Sequence, residues 1–375
     1  MIPILFAGGG TGGHLYPALA LGEAVRAADP SVEVEFVGAH RGVESRILPQ
    51  QNVKHTLLPL QPIQRSQIWR NWKLFPSALA TVSGLGKLFL RFKPRLVVGT
   101  GGYVSGPACM FAVLTGVPIA IQEQNSHPGF TTRVLSRWAA QVHLGFPEAA
   151  AKLKPGKNTE VIAAGNPIRP PDRSLEVAAC RARFGIARMS TVLLVVGGSQ
   201  GARAVNEALL GAIELVMRGE LPAPPAGFEV LWATGPTQYD AVNARLNAAG
   251  NPAWVHAQGY IDAMAEALAA SNMAVSRAGA MATAELLAWG IPMVLIPLPT
   301  AAADHQRFNA RALEEAGAAV VVEEEDLTPE RLWADIHRLA SDPLRHDQMA
   351  AAALVRARPD AARDIALHLL TLVQA

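Results

Sequence analysis

Short apolar runs alternate with longer segments of helical period along the whole chain, the pattern of mostly parallel sheets covered by helices on both faces. In the first half the spacing predicts strands at residues 2–7, 33–37, 55–58, 96–99, 118–122, 141–144 and 161–164. In the second half they fall at 191–196, 228–233, 255–258, 273–276, 293–296 and 319–322. Between the halves stands Gly165-Asn166-Pro167-Ile168-Arg169-Pro170-Pro171, whose prolines lack N–H donors and fix the backbone, so no long regular element crosses it. The expectation is an α/β chain of two Rossmann-like domains, 1–164 and 165–356, with parallel sheets and a cleft between them. The Ala-rich helical end, 357–375, has no strand after it and is expected to return to the first domain.

Two strand-to-helix junctions are rich in glycine. Ile2-Pro3-Ile4-Leu5-Phe6-Ala7 enters Gly8-Gly9-Gly10-Thr11-Gly12-Gly13-His14, and Val192-Leu193-Leu194-Val195-Val196 enters Gly197-Gly198-Ser199-Gln200-Gly201-Ala202-Arg203. Such turns aim bare N–H groups and the positive end of a helix dipole at one point, and glycine lets the main chain come close to a phosphate-like anion. Gly8, Gly10 and Gly13 satisfy the dinucleotide fingerprint, which keeps an NADP-dependent oxidoreductase open as an alternative. Against it, the second strand ends Phe36-Val37-Gly38-Ala39-His40-Arg41, without the acid that takes ribose hydroxyls, although Arg41 suits a 2′-phosphate. Neither turn ends in Gly-Lys-Ser/Thr, which disfavours nucleoside triphosphate hydrolysis.

Further turns share this placement. Gly99-Thr100-Gly101-Gly102-Tyr103-Val104-Ser105-Gly106-Pro107 and Glu123-Gln124-Asn125 follow strands of the first domain, and Ser276-Arg277-Ala278-Gly279-Ala280-Met281-Ala282-Thr283-Ala284-Glu285 follows one of the second. Ligands of open parallel sheets bind beyond the carboxyl ends of the strands, so all of these point to one cleft. Glu285, about one turn into the helix, is placed either to accept two hydrogen bonds from a ribose diol or to face solvent as an ordinary helix glutamate, and the residues alone leave both open.

With 375 residues, 50% hydrophobic and 17% charged, the chain supports two ordinary cores. Its longest apolar stretch, 107–121, is broken by Gly116 and Pro118, so no membrane span is predicted. The start shows neither a basic n-region nor a cleavage site, which gives an expected cytoplasmic location. Cys109 and Cys180 lack metal or redox spacing and are expected to be buried structural residues. No Asp-x-Asp motif occurs, so neither a protein-bound metal nor another cofactor is expected.

The net charge of +2 hides an asymmetry: no Asp or Glu occurs from Ser45 to Gln122, where nine of the 33 bases lie, leaving 24 bases against 31 acids elsewhere. Aromatic and aliphatic residues interleave with those bases, a mixture suited to an anionic membrane surface, with Trp69, Arg70, Trp72, Lys73 and Phe75 as the expected docking residues, while an ordinary solvated helix with some of these aromatics in the core stays open beside it. Nucleic acid is not an expected partner of a nearly neutral chain without a recognition motif.

Taken in order, Gly9-Gly10-Thr11-Gly12-Gly13-His14, the 99–107 turn, Glu123-Gln124-Asn125, Gly165-Asn166-Pro167-Ile168-Arg169, the 197–203 turn, the 279–285 turn, and Asp304-His305-Gln306 with Asn309-Ala310 resemble the MurG family of glycosyltransferases over most of the chain. The resemblance implies a GT-B fold. It implies inverting transfer of N-acetylglucosamine from UDP-GlcNAc to the C4 hydroxyl of undecaprenyl-diphosphate-MurNAc-pentapeptide, lipid I to lipid II, at the cytoplasmic face of the cell membrane. A related UDP-sugar glycolipid transferase and a non-catalytic nucleotide-sugar sensor stay open beside it.

Residue by residue, the resemblance implies that Ser199 and the N–H groups after it hold the diphosphate, that Arg169 contacts the donor, and that Glu285 binds the ribose. The backbone of Ile261 and of Ala280, Met281, Ala282, Thr283 and Ala284 would meet the uridine, and Gln306 the sugar hydroxyls. Thr11, Gly12, Gly13 and Asn125 would reach the sugar from the first domain. Two needs of the reaction are a stabilised diphosphate and a deprotonated alcohol. His14 is the candidate base, because a helix N-terminus disfavours its imidazolium, and Glu123 and Tyr103 are candidates for orienting the acceptor. Ala278 and Ala282 stand where the family commonly has Ser and often Thr, and Gln122 where a His often precedes Glu-Gln-Asn.

Overall fold

The computed structural model describes residues 1–62, 75–198 and 200–374. The chain divides into two units, Met1–Arg169 with Pro359–Ala375, and Pro170–Arg358. In the first, seven parallel strands, β1 (Ile2–Ala7), β2 (Val32–Ala39), β3 (His55–Leu58), β4 (Leu96–Gly99), β5 (Ile119–Glu123), β6 (Gln141–Leu144) and β7 (Glu160–Ile162), lie in the order β3-β2-β1-β4-β5-β6-β7. Their near-continuous apolar character follows from burial on both faces. Ile4 and Phe6 pack with Leu15, Leu21 and Val25 of the helix Gly12–Ala28, and Leu5 and Ala7 with Leu85, Leu88, Val104 and Ala108 on the other side.

The helix Ala361–Gln374 adds Ile365, Leu369, Leu370 and Val373 to the cluster that holds Ile4 and Phe6. Each such aliphatic side chain contributes roughly 1.5–3 kcal/mol by leaving water. The second unit has β8 (Thr191–Val196), β9 (Phe228–Ala233), β10 (Val255–Gln258), β11 (Met273–Ser276), β12 (Met293–Leu295) and β13 (Ala319–Val321), all parallel, in the order β10-β9-β8-β11-β12-β13. Strand order reverses between β1 and β4 and again between β8 and β11, so each unit has one topological switch point. Element ends differ from the sequence pattern where pairing decides them. Glu123 stays in β5 because it registers with Leu144, and β7 begins at Glu160 opposite Gln141.

The helix Phe75–Phe92 is apolar on two sides. Thr81, Leu85, Leu88 and Phe92 are buried, whereas Phe75 and Leu90 are 68% and 78% exposed, with Leu79 and Val82 on the exposed side as well. Not every base of the acid-free stretch is unpaired, as composition suggests. Arg91 meets the buried Glu35 at 2.5 Å and Lys54 meets Glu33 at 2.5 Å, because β2 brings its acids alongside β3 and this helix. Trp69, Arg70, Trp72 and Lys73 lie outside the described residues. Among the described residues no helix is long and apolar enough to cross a membrane. Both cysteines are free and buried, and burial pushes the Cys109 thiol up to about 12, which makes it inert.

His143, on β6, is fully buried and stacks on His368 of the last helix, with ring centroids 5.7 Å apart and planes 13° from parallel. Burial, and then the neighbouring His368, push His143 down from 6.5 to about 3. The unfolded chain takes up this proton near 6.5 while the folded unit resists it, so the contribution of the neutral ring is complete above pH 6.5 and falls with acid towards pH 3. The expected slope is up to about 1.4 kcal/mol per pH unit in that window. Thermal melts across the window should show this decline, and His143→Phe should flatten it; an equally steep decline in the variant contradicts the assignment.

Candidate active site

At the first switch point, the turn after β1 and the turn after β4 interlock. A Cβ on Gly8 would collide with the Thr100 hydroxyl, and one on Gly102 with the Gly9 carbonyl. Gly10, at φ +90°, has the Tyr103 ring 2.6 Å from where its Cβ would stand. Here the glycines serve the contact of one turn with the other. The Thr100 hydroxyl donates to the His14 carbonyl at 2.7 Å, and Gln124 Nε2 donates to the Thr100 carbonyl at 2.9 Å. His14 Nδ1 lies 3.0 Å from Thr11 Oγ1, and its ring fills the space beside Gly101, whose Cβ would come 2.6 Å from His14 Cδ2. Burial first, and then Glu44, push the Tyr103 phenol up.

Sequence patterns did not reveal Glu44. It follows β2 and is fully buried, and the Gly10 N–H donates to both of its oxygens at 3.2 and 3.0 Å while the Ala39 N–H donates at 3.0 Å. The acid missing from the end of the second strand thus arrives five residues later, turned inward to the glycine N–H rather than outward to a ribose. A carboxylate at the fingerprint glycine repels a pyrophosphate there, which removes the basis of the NADP reading. The only sequence signal is a lone acid beside Gly38 and Gly42, both of which would strike it with a Cβ.

Glu123 is bonded through both oxygens. Its oxygens accept from Asn125 N at 3.1 Å, Asn125 Nδ2 at 3.3 Å, Gly129 N at 3.0 Å and Thr132 Oγ1 at 2.6 Å. Those bonds make it the anchor of the 125–132 loop and leave it little capacity to orient an acceptor. Gln122, in the position where a His is common, donates to Asn166 Oδ1 at 3.2 Å, and Asn166 returns a bond to the Gln124 carbonyl at 3.0 Å. Arg169 is exposed at the end of the first unit.

In the second unit the turn after β8 leads into the helix Arg203–Met217. Gly198, at φ +91°, has nothing within 4 Å of its Cβ position, whereas a Cβ on Gly201 would strike the Thr234 carbonyl. One glycine is open to a ligand and the other is closed by the turn after β9. Asn206 locks that closed side, donating to the Thr234 carbonyl at 2.7 Å and accepting from Trp232 Nε1 at 3.0 Å. Ser199 lies outside the described residues.

At the second switch point Gly279 caps the helix Ala280–Trp289 and is open on its Cβ side. Its first turn directs N–H groups past the helix end, and the half-buried Glu285 stands one turn further on. Thr283 spends its hydroxyl on the Gly279 carbonyl at 3.0 Å, so only its backbone is left to meet a ligand. Gln306 Oε1 accepts from the Leu298 N–H at 3.0 Å, which commits its carbonyl and leaves its NH2 group as the donor. Ile261 is buried just past β10. Arg277 joins these loops, reaching the Ile296 and Pro297 carbonyls at 3.2 Å and Glu324 at 2.5 Å. Ala303 and Asp304, at φ +52° and +57°, hold a left-handed bend before Gln306, strain of about 1–2 kcal/mol each of the kind that gathers at ligand loops. Among the described residues no group of three or more His, Cys, Asp or Glu could hold a metal ion.

Residues 4–144 match the glycosyltransferase family 28 N-terminal domain and residues 192–365 the family 28 C-terminal domain. A UDP-N-acetylglucosamine--N-acetylmuramyl-(pentapeptide) pyrophosphoryl-undecaprenol N-acetylglucosamine transferase of Moorella thermoacetica is 38% identical, covering 99% of this chain and 99% of its own. The protein of the same name from Salinibacter ruber is 41% identical over 98% of this chain and 96% of its own. The crystal structure of Acinetobacter baumannii MurG superposes with a TM-score of 0.76 at 28% identity, covering 99% of this chain and 100% of that one. CalG4, the calicheamicin glycosyltransferase, shares the fold at a TM-score of 0.67 and 16% identity, covering 100% of both chains. With two parallel-sheet α/β units of GT-B type and this likeness across both of them, the chain belongs to the MurG family of glycosyltransferases.

Proposed function

We propose that this chain transfers N-acetylglucosamine from UDP-GlcNAc to the C4 hydroxyl of undecaprenyl-diphosphate-MurNAc-pentapeptide, the lipid I to lipid II step of peptidoglycan synthesis. The observation that carries this reading is the 38–41% identity, over both units, to transferases whose names state that specificity. In the second unit, the open Gly198 and the N-terminus of the helix Arg203–Met217 supply N–H donors and a positive dipole end for the diphosphate, which Ser199, next to Gly198 in sequence, also contacts. The first turn of the helix Ala280–Trp289 and Ile261 present backbone to the uridine, Glu285 binds the ribose, the Gln306 NH2 group donates to the sugar hydroxyls, and Arg169 contacts the donor.

In the first unit Thr11, Gly12, Gly13 and Asn125 face the sugar, and His14 is the general base, with Tyr103 beside it. The acceptor C4 hydroxyl oxygen attacks the anomeric carbon as the bond to UDP breaks, the hydroxyl proton passes to His14, and UDP leaves with the electron pair. Displacement from the face opposite UDP inverts an α-linked donor to a β-linked product. A base of this kind contributes about 10²–10⁴-fold, and donors aimed at the departing diphosphate supply the larger share.

A lipid-anchored acceptor stays in the bilayer, so the first unit works as a peripheral protein at the cytoplasmic face of the membrane. The exposed apolar side of the helix Phe75–Phe92, with Lys87 exposed on it, is the described part of that docking surface, and Trp69, Arg70, Trp72 and Lys73 adjoin it in sequence.

UDP release from UDP-GlcNAc with and without the lipid acceptor tests the reaction: stimulation by acceptor is expected, and its absence overturns the reading. His14→Ala should lower kcat about 10²–10⁴-fold with the KM for UDP-GlcNAc nearly unchanged. Glu285→Ala should instead raise that KM about 10–100-fold; equal effects of the two substitutions on KM would separate neither role. Replacing Leu79 and Leu90 together by Glu should weaken binding to anionic vesicles at least about tenfold, measured by co-sedimentation, with donor KM unchanged.

A further inference from the structure

We infer that Glu44 is a positioning residue for His14: its buried carboxylate sets the shape of the β1 turn and so the placement of the base. This rests on the reading of His14 as the base. The Glu44 side chain is fully buried, and its hydrogen bonds come from main-chain N–H groups alone, Gly10 at 3.0 and 3.2 Å and Ala39 at 3.0 Å. Among the described residues no Lys or Arg pairs with it. A buried carboxylate without a cation is costly, and such a departure from ordinary burial is expected where a site requires it.

The surrounding chain is shaped to admit this one group. A Cβ on Gly9 would stand 2.5 Å from Glu44 Oε1 and one on Gly38 2.5 Å from its Cγ, while one on Gly42 would collide with the carboxylate. Three glycines from two segments thus leave room for it. The same glycine turn then carries Thr11, whose hydroxyl holds His14 Nδ1 at 3.0 Å. On the opposite side, Gly102 approaches both the Gly9 carbonyl and His14 Nδ1, the latter 3.2 Å from its Cβ position. Glu44 therefore fixes Gly9 and Gly10 from behind, Tyr103 and Gly102 fix them from the front, and the imidazole follows from their placement.

The test is acceptor-stimulated UDP release by the full chain carrying Glu44→Gln, Glu44→Asp, His14→Ala, and Glu44→Gln with His14→Ala. Glu44→Gln should lower kcat about 100-fold, the loss typical of a catalytic group displaced by an ångström, with the KM for UDP-GlcNAc within about twofold of wild type. In the His14→Ala background it should add no further loss, because Glu44 acts through that ring. A kcat within about threefold of wild type, or losses that multiply in the double variant, would overturn the inference. Should Glu44→Gln fail to fold, Glu44→Asp, which retains the charge one methylene short, takes its place in the same cycle with the same two criteria. If the wild-type chain itself releases no UDP with acceptor, the proposed function fails, and the inference is read from the His14 imidazole NMR signal, identified by its loss in His14→Ala. A signal displaced by Glu44→Gln supports positioning, and one left in place refutes it.

Discussion

The contact between the turns after β1 and β4 is the constraint on which the first unit depends. The Thr100 hydroxyl occupies the place of a Gly8 side chain and holds the His14 carbonyl, so the helix Gly12–Ala28 starts where a neighbouring strand ends. Nothing larger than hydrogen fits at Gly8, Gly10 or Gly102 without pushing the turns apart. The position of the imidazole is thus set by sheet geometry, strand by strand, and only finally by its own bond to Thr11.

Two turns with the same local recipe do different work because of what stands behind them. Glu44 takes the Gly10 N–H of the first, which gives that turn negative character and makes it a poor seat for an anion. The second keeps Gly198 open at the start of a helix, which suits it to phosphate. A glycine fingerprint reports that backbone approaches something closely. Whether that something is a ligand, another turn or a buried acid depends on residues far away in sequence.

Much of the fold was legible because every central strand is buried on both faces and therefore reads as an apolar run. The sheet orders and the two switch points follow once those runs are paired, and strand ends differ where pairing runs further, as at Glu123 opposite Leu144, or stops sooner, as at Ile162 opposite His143 and Val321 opposite Leu295. The site was legible as motifs but not as roles. Glu123 reads as a free carboxylate beside the site, yet the loop that follows it folds back to saturate its oxygens. Glu44 reads as an unremarkable acid because its partners are main-chain groups, which leave no trace in side-chain patterns. Charge counts likewise overstated the cationic face, since β2 delivers Glu33 and Glu35 to Lys54 and Arg91 from outside the acid-free stretch.

The last helix carries a consequence for how the molecule is made. Ile365, Leu369 and Val373 cover the same apolar cluster as Leu15, Leu21 and Val25, so residues separated by almost the full length of the chain complete one core. During translation the amino-terminal sheet emerges with that face only partly covered and must wait, through synthesis of all of the other unit, for the last helix to complete it. The nascent polypeptide is therefore sticky for most of its time on the ribosome, and a chaperone able to shield that strip until termination would govern the yield of native molecules.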